Sequence, residues 1–148
     1  MLIRSLEPSD LGALLQLYQH LHATDAPSPQ AAVVESVWKE LLSSPRHRCL
    51  GAFVGEELVA SCMLAIIPNL TRGCRPYGII ENVVTQANHR RLGHGKAVLS
   101  AALREAWAAG CYKVMLLTGR KDEGTFRFYE SVGFDRHAKQ AFVAKAPS

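Results

Sequence analysis

Residues 83–99 read Val-Val-Thr-Gln-Ala-Asn-His-Arg-Arg-Leu-Gly-His-Gly-Lys-Ala-Val-Leu, an apolar strand that passes through a basic loop with two glycines straight into a helix. A junction of this kind implies a layered fold of strands and helices, and it is also a cradle for phosphate. Gly93 and Gly95 let backbone amides approach an anion without a Cβ in the way, and the new helix adds orphan N–H groups and the positive end of its dipole. Arg90, Arg91 and Lys96 place formal charge at the same point, which suits a diphosphate or a larger anion. The pattern Arg90-x-x-Gly93-x-Gly95 is neither a P-loop, which needs Gly-x-x-x-x-Gly-Lys followed by Ser or Thr, nor the Gly-x-Gly-x-x-Gly of a dinucleotide site.

The 148 residues suffice for one domain, spanning 1–148, with a core that needs no staples. Cys49, Cys62, Cys74 and Cys111 are scattered without a Cys-x-x-Cys pair and read as reduced, most of them filling core space. His20, His22, His47 and His137 show no shared-face spacing with another ligand type, so no metal site is expected. The chain opens without a charged, apolar leader and its longest apolar run, near residues 63–67, is too short to span a bilayer. A cytoplasmic protein with no membrane partner is expected. The net charge of +4 is modest, and the basic segment has only Tyr77 close by, too few aromatics for a nucleic-acid surface. Its placement near Arg72, Arg75, His89 and the cradle suits a small anionic ligand instead.

Periodicity organises the rest. Residues 1–6 read as a short strand, and Ser9 or Asp10 caps a helix through Leu21. After the break at Ala26-Pro27-Ser28-Pro29, a second helix carries Val33, Val34, Val37, Trp38, Leu41 and Leu42. Two apolar runs, 49–54 and 58–67, flank Gly55-Glu56-Glu57 as a hairpin. An irregular loop over 68–76 leads to a strand at 77–85, a helix from about 93 to 109, and a buried strand at 112–118. Asp122 caps a short helix that Gly133 ends, and residues 140–145 supply a last strand. The result is a mixed α/β (α+β) domain with an early hairpin and later helical crossovers.

The Arg90-x-x-Gly93-x-Gly95 loop, its helix, the strand at 114–117 and the downstream Phe128-Tyr129-Glu130-Ser131-Val132-Gly133-Phe134 together resemble the GCN5-related N-acetyltransferase (GNAT) family over essentially the whole chain. The resemblance implies a central, mixed, mostly antiparallel twisted sheet of six to seven strands flanked by about four helices. It also implies a homodimer, and acetyl-CoA as cosubstrate with its pyrophosphate held by the cradle through Arg90, Arg91, Leu92, Gly93, His94, Gly95 and Lys96. Ile80-Glu81-Asn82-Val83-Val84 and Gly110-Cys111-Tyr112-Lys113 are similar to the glucosamine-6-phosphate N-acetyltransferase branch, which commonly has Asp where this chain has Asn82.

Acetyl transfer to an amine needs a polarised thioester carbonyl, a neutral amine and relief for the departing thiolate. If the strand splays from its neighbour as family members do, backbone N–H groups near Val83 and Thr85 are free for the acetyl oxygen and the pantetheine, while Val83, Val84 and Thr85 serve equally as core strand residues. Glu81 is the acidic residue of that strand. An alkyl ammonium of pKa about 10.4 is neutral roughly once in 2500 molecules at pH 7, so Glu81 reads as base or amine binder, or else as a structural carboxylate paired to Arg72 or Arg75. The resemblance implies that Tyr129 faces the thioester sulfur. Moving its proton to a thiolate is uphill by about 2 kcal/mol from solution pKa values, so it serves first as a hydrogen-bond donor. Arg72, Arg75 and Tyr77, in and after the loop that leads to the Glu81 strand, read as the acceptor rim, where two guanidinium groups match phosphate, phosphonate or carboxylate, or else the arginines are a solvated surface pair. The expected partner is a small, anionic amine. Protein acetylation and a non-catalytic acyl-CoA-binding regulatory module remain alternatives.

Overall fold

A computed structural model describes residues 1–22 and 24–148. Contacts divide the chain into a larger unit, Met1–Leu116, and a smaller one, Leu117–Ser148. In the larger unit five strands, β1 (Leu2–Ser5), β2 (His47–Val54), β3 (Glu57–Ile67), β4 (Tyr77–Thr85) and β5 (Val114–Leu116), form one sheet in sequence order. The first three pairings are antiparallel and β4 with β5 is parallel.

Local chemistry accounts for each connection. The β2–β3 hairpin turns at Gly55, whose φ of +59° a glycine adopts without a Cβ clash, in the turn that the Val54–Glu57 pair closes. A parallel neighbour needs a crossover, and α4 (His94–Ala108) supplies it between β4 and β5. Two helices, α1 (Leu11–Tyr18) and α2 (Ala31–Ser43), bury Leu14, Leu17 and Trp38 with Phe53 and Val84 of the sheet. On β3, Met63 packs with that group, while the next-door Cys62 Sγ lies 3.8 Å from Val98 O of α4. The alternation shows that both faces of the sheet are covered, which is why β3 is apolar almost without interruption. Cys49, Cys62 and Cys111 are buried, and burial pushes the Cys62 thiol up to about 12.

The single turn α3 (Thr71–Cys74) lies within the expected irregular loop, with Arg72 and Gly73 in left-handed conformations. In the smaller unit α5 (Glu123–Val132) is capped by Asp122, whose Oδ1 accepts from Thr125 N–H at 2.9 Å, and is closed by Gly133 at φ +116°. Arg136 ties its ends by pairing with Glu123 at 2.9 Å and Glu130 at 2.6 Å.

Two expectations are corrected. The sheet has five strands among the described residues rather than six to seven, with five helices when the α3 turn is counted. The last expected strand, 140–145, has no regular structure, and Phe142 and Val143 are 89% and 70% exposed. Its alternation is strand-like, but a strand exists only when a neighbouring edge accepts its hydrogen bonds.

Candidate acetyl-transfer site

Strand β4 carries the expected site residues of the larger unit from one end to the other. Arg72, Arg75 and Tyr77 stand at its start, Glu81 to Thr85 in its second half, and the basic loop at its finish. Parallel pairing with β5 stops early, joining Gly78, Ile79 and Ile80 to Val114, Met115 and Leu116. Beyond Ile80, β4 pairs with β3 alone among the described residues. That stretch is where free N–H groups near Val83 and Thr85 are expected.

Within that stretch the register with β3 slips. Glu81 is opposite Met63 and Val84 is opposite Ser61, so Asn82 and Val83 together oppose the single residue Cys62. This is a β-bulge, and Asn82 carries it at φ +54°. Asparagine is among the few non-glycine residues that adopt the left-handed region readily, which gives Asn82 a backbone reason to be in a strand. Gln86 N–H donates to Val59 O at 2.8 Å. Backbone N–H groups alternate sides along a strand, so those of Val83 and Thr85 face away from β3. The Val84 side chain, by contrast, is buried in the core with α1 and α2.

At the finish of β4, Arg90 Nε donates to Thr85 O at 3.4 Å, folding the loop back on the strand. Arg91 is left-handed at φ +64°, and Gly93, the N-cap of α4, has φ +86°. A Cβ on Gly93 would meet nothing within 4 Å, so its requirement is conformational, and open space lies over the helix start. Arg90, Arg91, Leu92, Gly93 and Lys96 are exposed, as an anion cradle needs. His94 differs: its side chain is buried, with Nδ1 2.9 Å from Met1 Sδ and its ring tilted at 57° to that of His89, leaving its place at the helix start as its link to the cradle.

At the start of β4 the two arginines part company. Arg75 donates from Nε to Gly110 O and from Nη2 to Cys111 O, both at 3.3 Å, and so braces the chain leaving α4. Arg72 instead lies over the Tyr112 ring at 5.6 Å. Lys113 Nζ sits 5.3 Å from that ring and 5.5 Å from the ring of Tyr77. Reading along the chain did not bring Lys113 beside Tyr77, because Gly78 N–H to Lys113 O, at 2.9 Å, joins segments far apart in sequence. Glu81 is exposed, and among the described residues no ion pair links it to Arg72 or Arg75.

In the smaller unit Tyr129 is half-buried on α5, edge-on to Phe128 at 5.1 Å and to Phe134 at 6.2 Å. The Phe-Tyr-x-x-x-Gly-Phe run thus places both phenylalanines against the tyrosine ring. Among the described residues no three His, Cys, Asp or Glu side chains converge as metal ligands, and no helix is long and apolar enough to cross a membrane.

Residues 13–134 match the family model described as "Acetyltransferase (GNAT) family". The chain is 36% identical over 146 residues to a "Glucosamine 6-phosphate N-acetyltransferase" of Trypanosoma brucei brucei, covering 93% of this chain and 91% of the relative. Among solved structures, a "Putative acetyltransferase from Agrobacterium tumefaciens str. C58" superposes with a TM-score of 0.91 at 41% identity, covering 99% of this chain and all of that one. The glucosamine-6-phosphate N-acetyltransferase of Arabidopsis thaliana gives 0.84 at 26% identity over 98% of this chain and 97% of its own.

Proposed function

Because the chain belongs to the GNAT acetyltransferase family, and is an acyltransferase of that family, we propose that it moves acetyl from acetyl-CoA directly to a primary amine of a small anionic metabolite. One observation carries the reading: β4 parts from β5 after Ile80, bulges at Asn82, and ends in the exposed cradle. The order along one strand is then acceptor rim, transfer point, coenzyme handle.

The chemistry follows that order. Arg90, Arg91 and Lys96, with the glycine-opened start of α4, hold the pyrophosphate. The Val83 and Thr85 N–H groups, turned away from β3, serve the acetyl oxygen and the pantetheine. An unprotonated amine attacks the carbonyl carbon, the new C–N bond forms, the C–S bond breaks, and the nitrogen loses a proton. Glu81, exposed and free of Arg72 and Arg75, orients the ammonium and receives that proton through water. Tyr129 donates a hydrogen bond to the thiolate, which leaves as the coenzyme thiol once protonated. No covalent enzyme intermediate forms, and no metal takes part.

Acceptor class follows from the rim. Arg72 and Lys113 are cations beside Tyr77 and Tyr112, suited to a phosphate or carboxylate, whereas Arg75 is engaged with backbone carbonyls. The substrate for which the Trypanosoma relative is named, an amine that bears a phosphate, supports this choice. We take residues 1–148 as one catalytic domain that works in the cytoplasm as a homodimer, without nucleic-acid or membrane partners. The strand-like tail with exposed Phe142 and Val143 supports the dimer.

Thiol release from acetyl-CoA over a panel of amino-sugar phosphates, aminophosphonates, amino acids and polyamines tests the proposal. Phosphorylated or carboxylated amines are expected to turn over fastest. Fastest turnover with polycationic amines contradicts the rim assignment, and coenzyme binding without any turnover makes the chain an acyl-CoA-binding module.

A further inference from the structure

The bulge raises a question of support. A left-handed asparagine within a strand is less favourable than extended backbone, and it persists where its surroundings hold it. On one side the Asn82 Nδ2 lies 3.6 Å from Met63 Sδ, a weak contact. On the other, α1 delivers Tyr18, whose ring joins Met63 in packing on the cluster that contains Val84 and Cys49. The Tyr18 hydroxyl oxygen is buried and closes no hydrogen bond among the described residues, and Met63, which Asn82 Nδ2 approaches, packs with the Tyr18 ring on the same cluster. Burial pushes this phenol up to about 12, with Cys49 adding to the rise and Asn82 opposing it, so the hydroxyl keeps its proton at any physiological pH. A buried hydroxyl without a partner is costly, and a neighbouring carboxamide is the group that relieves it.

We propose that Tyr18 is a positioning residue for acetyl transfer, propping the Asn82 carboxamide from α1 and so fixing the bulge that turns the Val83 N–H toward the acetyl oxygen. The inference rests on the reading of β4 as the thioester strand. Tyr18 touches neither coenzyme nor acceptor in this account. It acts through Asn82 alone.

The test is a cycle of Tyr18→Phe and Asn82→Gly, with kcat, KM and the affinities for acetyl-CoA and CoA measured for each. Phenylalanine keeps the ring and its packing; glycine adopts the left-handed conformation without a prop. In the native background Tyr18→Phe is expected to lower kcat by about five- to tenfold and to narrow the preference for acetyl-CoA over CoA, with KM for the amine little changed. In the Asn82→Gly background the same substitution is expected to change neither quantity further. An equal fall in both backgrounds, or no fall in the native one, overturns the proposal. So does a fall in melting temperature alone, which marks a packing role. A wild-type protein that turns over no acetyl-CoA overturns the proposed function with it, whereas an active wild type with an additive cycle overturns only the role of Tyr18.

Discussion

The Asp10 carboxylate, 11% exposed at the start of α1, meets Arg4 at 2.7 and 3.1 Å and also accepts Glu7 N–H at 2.7 Å. The Arg4 hydrogen bond, opposed by burial and helped by Glu7, holds the carboxyl below its ordinary range. A depressed pKa stabilises the fold above the unfolded value of about 3.9, and that contribution is lost as pH falls through the folded value. Asp10→Asn is therefore expected to cost about 2 kcal/mol at pH 7 by urea unfolding, with the gap closing below about pH 4. A gap that stays constant with pH contradicts the assignment. Glu81 and Tyr129 are tested by their chemistry. Glu81→Gln is expected to hurt amines of high pKa most, and Tyr129→Phe to lower kcat while leaving CoA binding intact. Equal losses across amines make Glu81 structural, and an unchanged rate removes Tyr129 from the reaction.

Elements were legible in the sequence in proportion to how locally they are determined. The junction from β4 to α4 was readable because its glycines, charges and helix start lie within a dozen residues, and the structure keeps Gly93 at φ +86° at the helix N-cap. Gly93→Ala is expected to cost about 1–2 kcal/mol from the dihedral alone, since no neighbour obstructs a Cβ, and to weaken acetyl-CoA binding further by filling the space over the helix start. Comparing melting temperatures with and without acetyl-CoA separates the two effects, and an unchanged coenzyme shift denies the cradle its close backbone approach. Asn82 was visible as a departure from Asp in a related branch, but its role as the bulge residue depends on the opposing register of β3. The carbonyl partners of Arg75 were hidden from a reading along the chain because they lie 35 and 36 residues onward. The stretch 140–145 has strand composition without a paired edge, and pairing is the part of a strand that its own residues do not encode.

At the scale of the whole molecule, a five-stranded sheet covered by helices on both faces carries β4, whose second half pairs with β3 and, among the described residues, not with β5. A strand paired along one edge suits the proposed two-substrate transfer, in which the thioester must be fixed and the amine must enter. The homodimer reading has its own check at this scale. Phe142→Ser is expected to shift the protein toward monomer in sedimentation, and an unaltered dimer removes the tail from the interface. The central claim, that the cradle and the bulged strand bind an acyl-CoA, is tested most directly by thermal unfolding with increasing acetyl-CoA. The melting temperature is expected to keep rising with ligand concentration, by the amount mass action gives for binding to the folded state, and to rise far less for an Arg90→Ala, Lys96→Ala protein. A melting temperature unmoved by acetyl-CoA well above micromolar concentration would contradict the account.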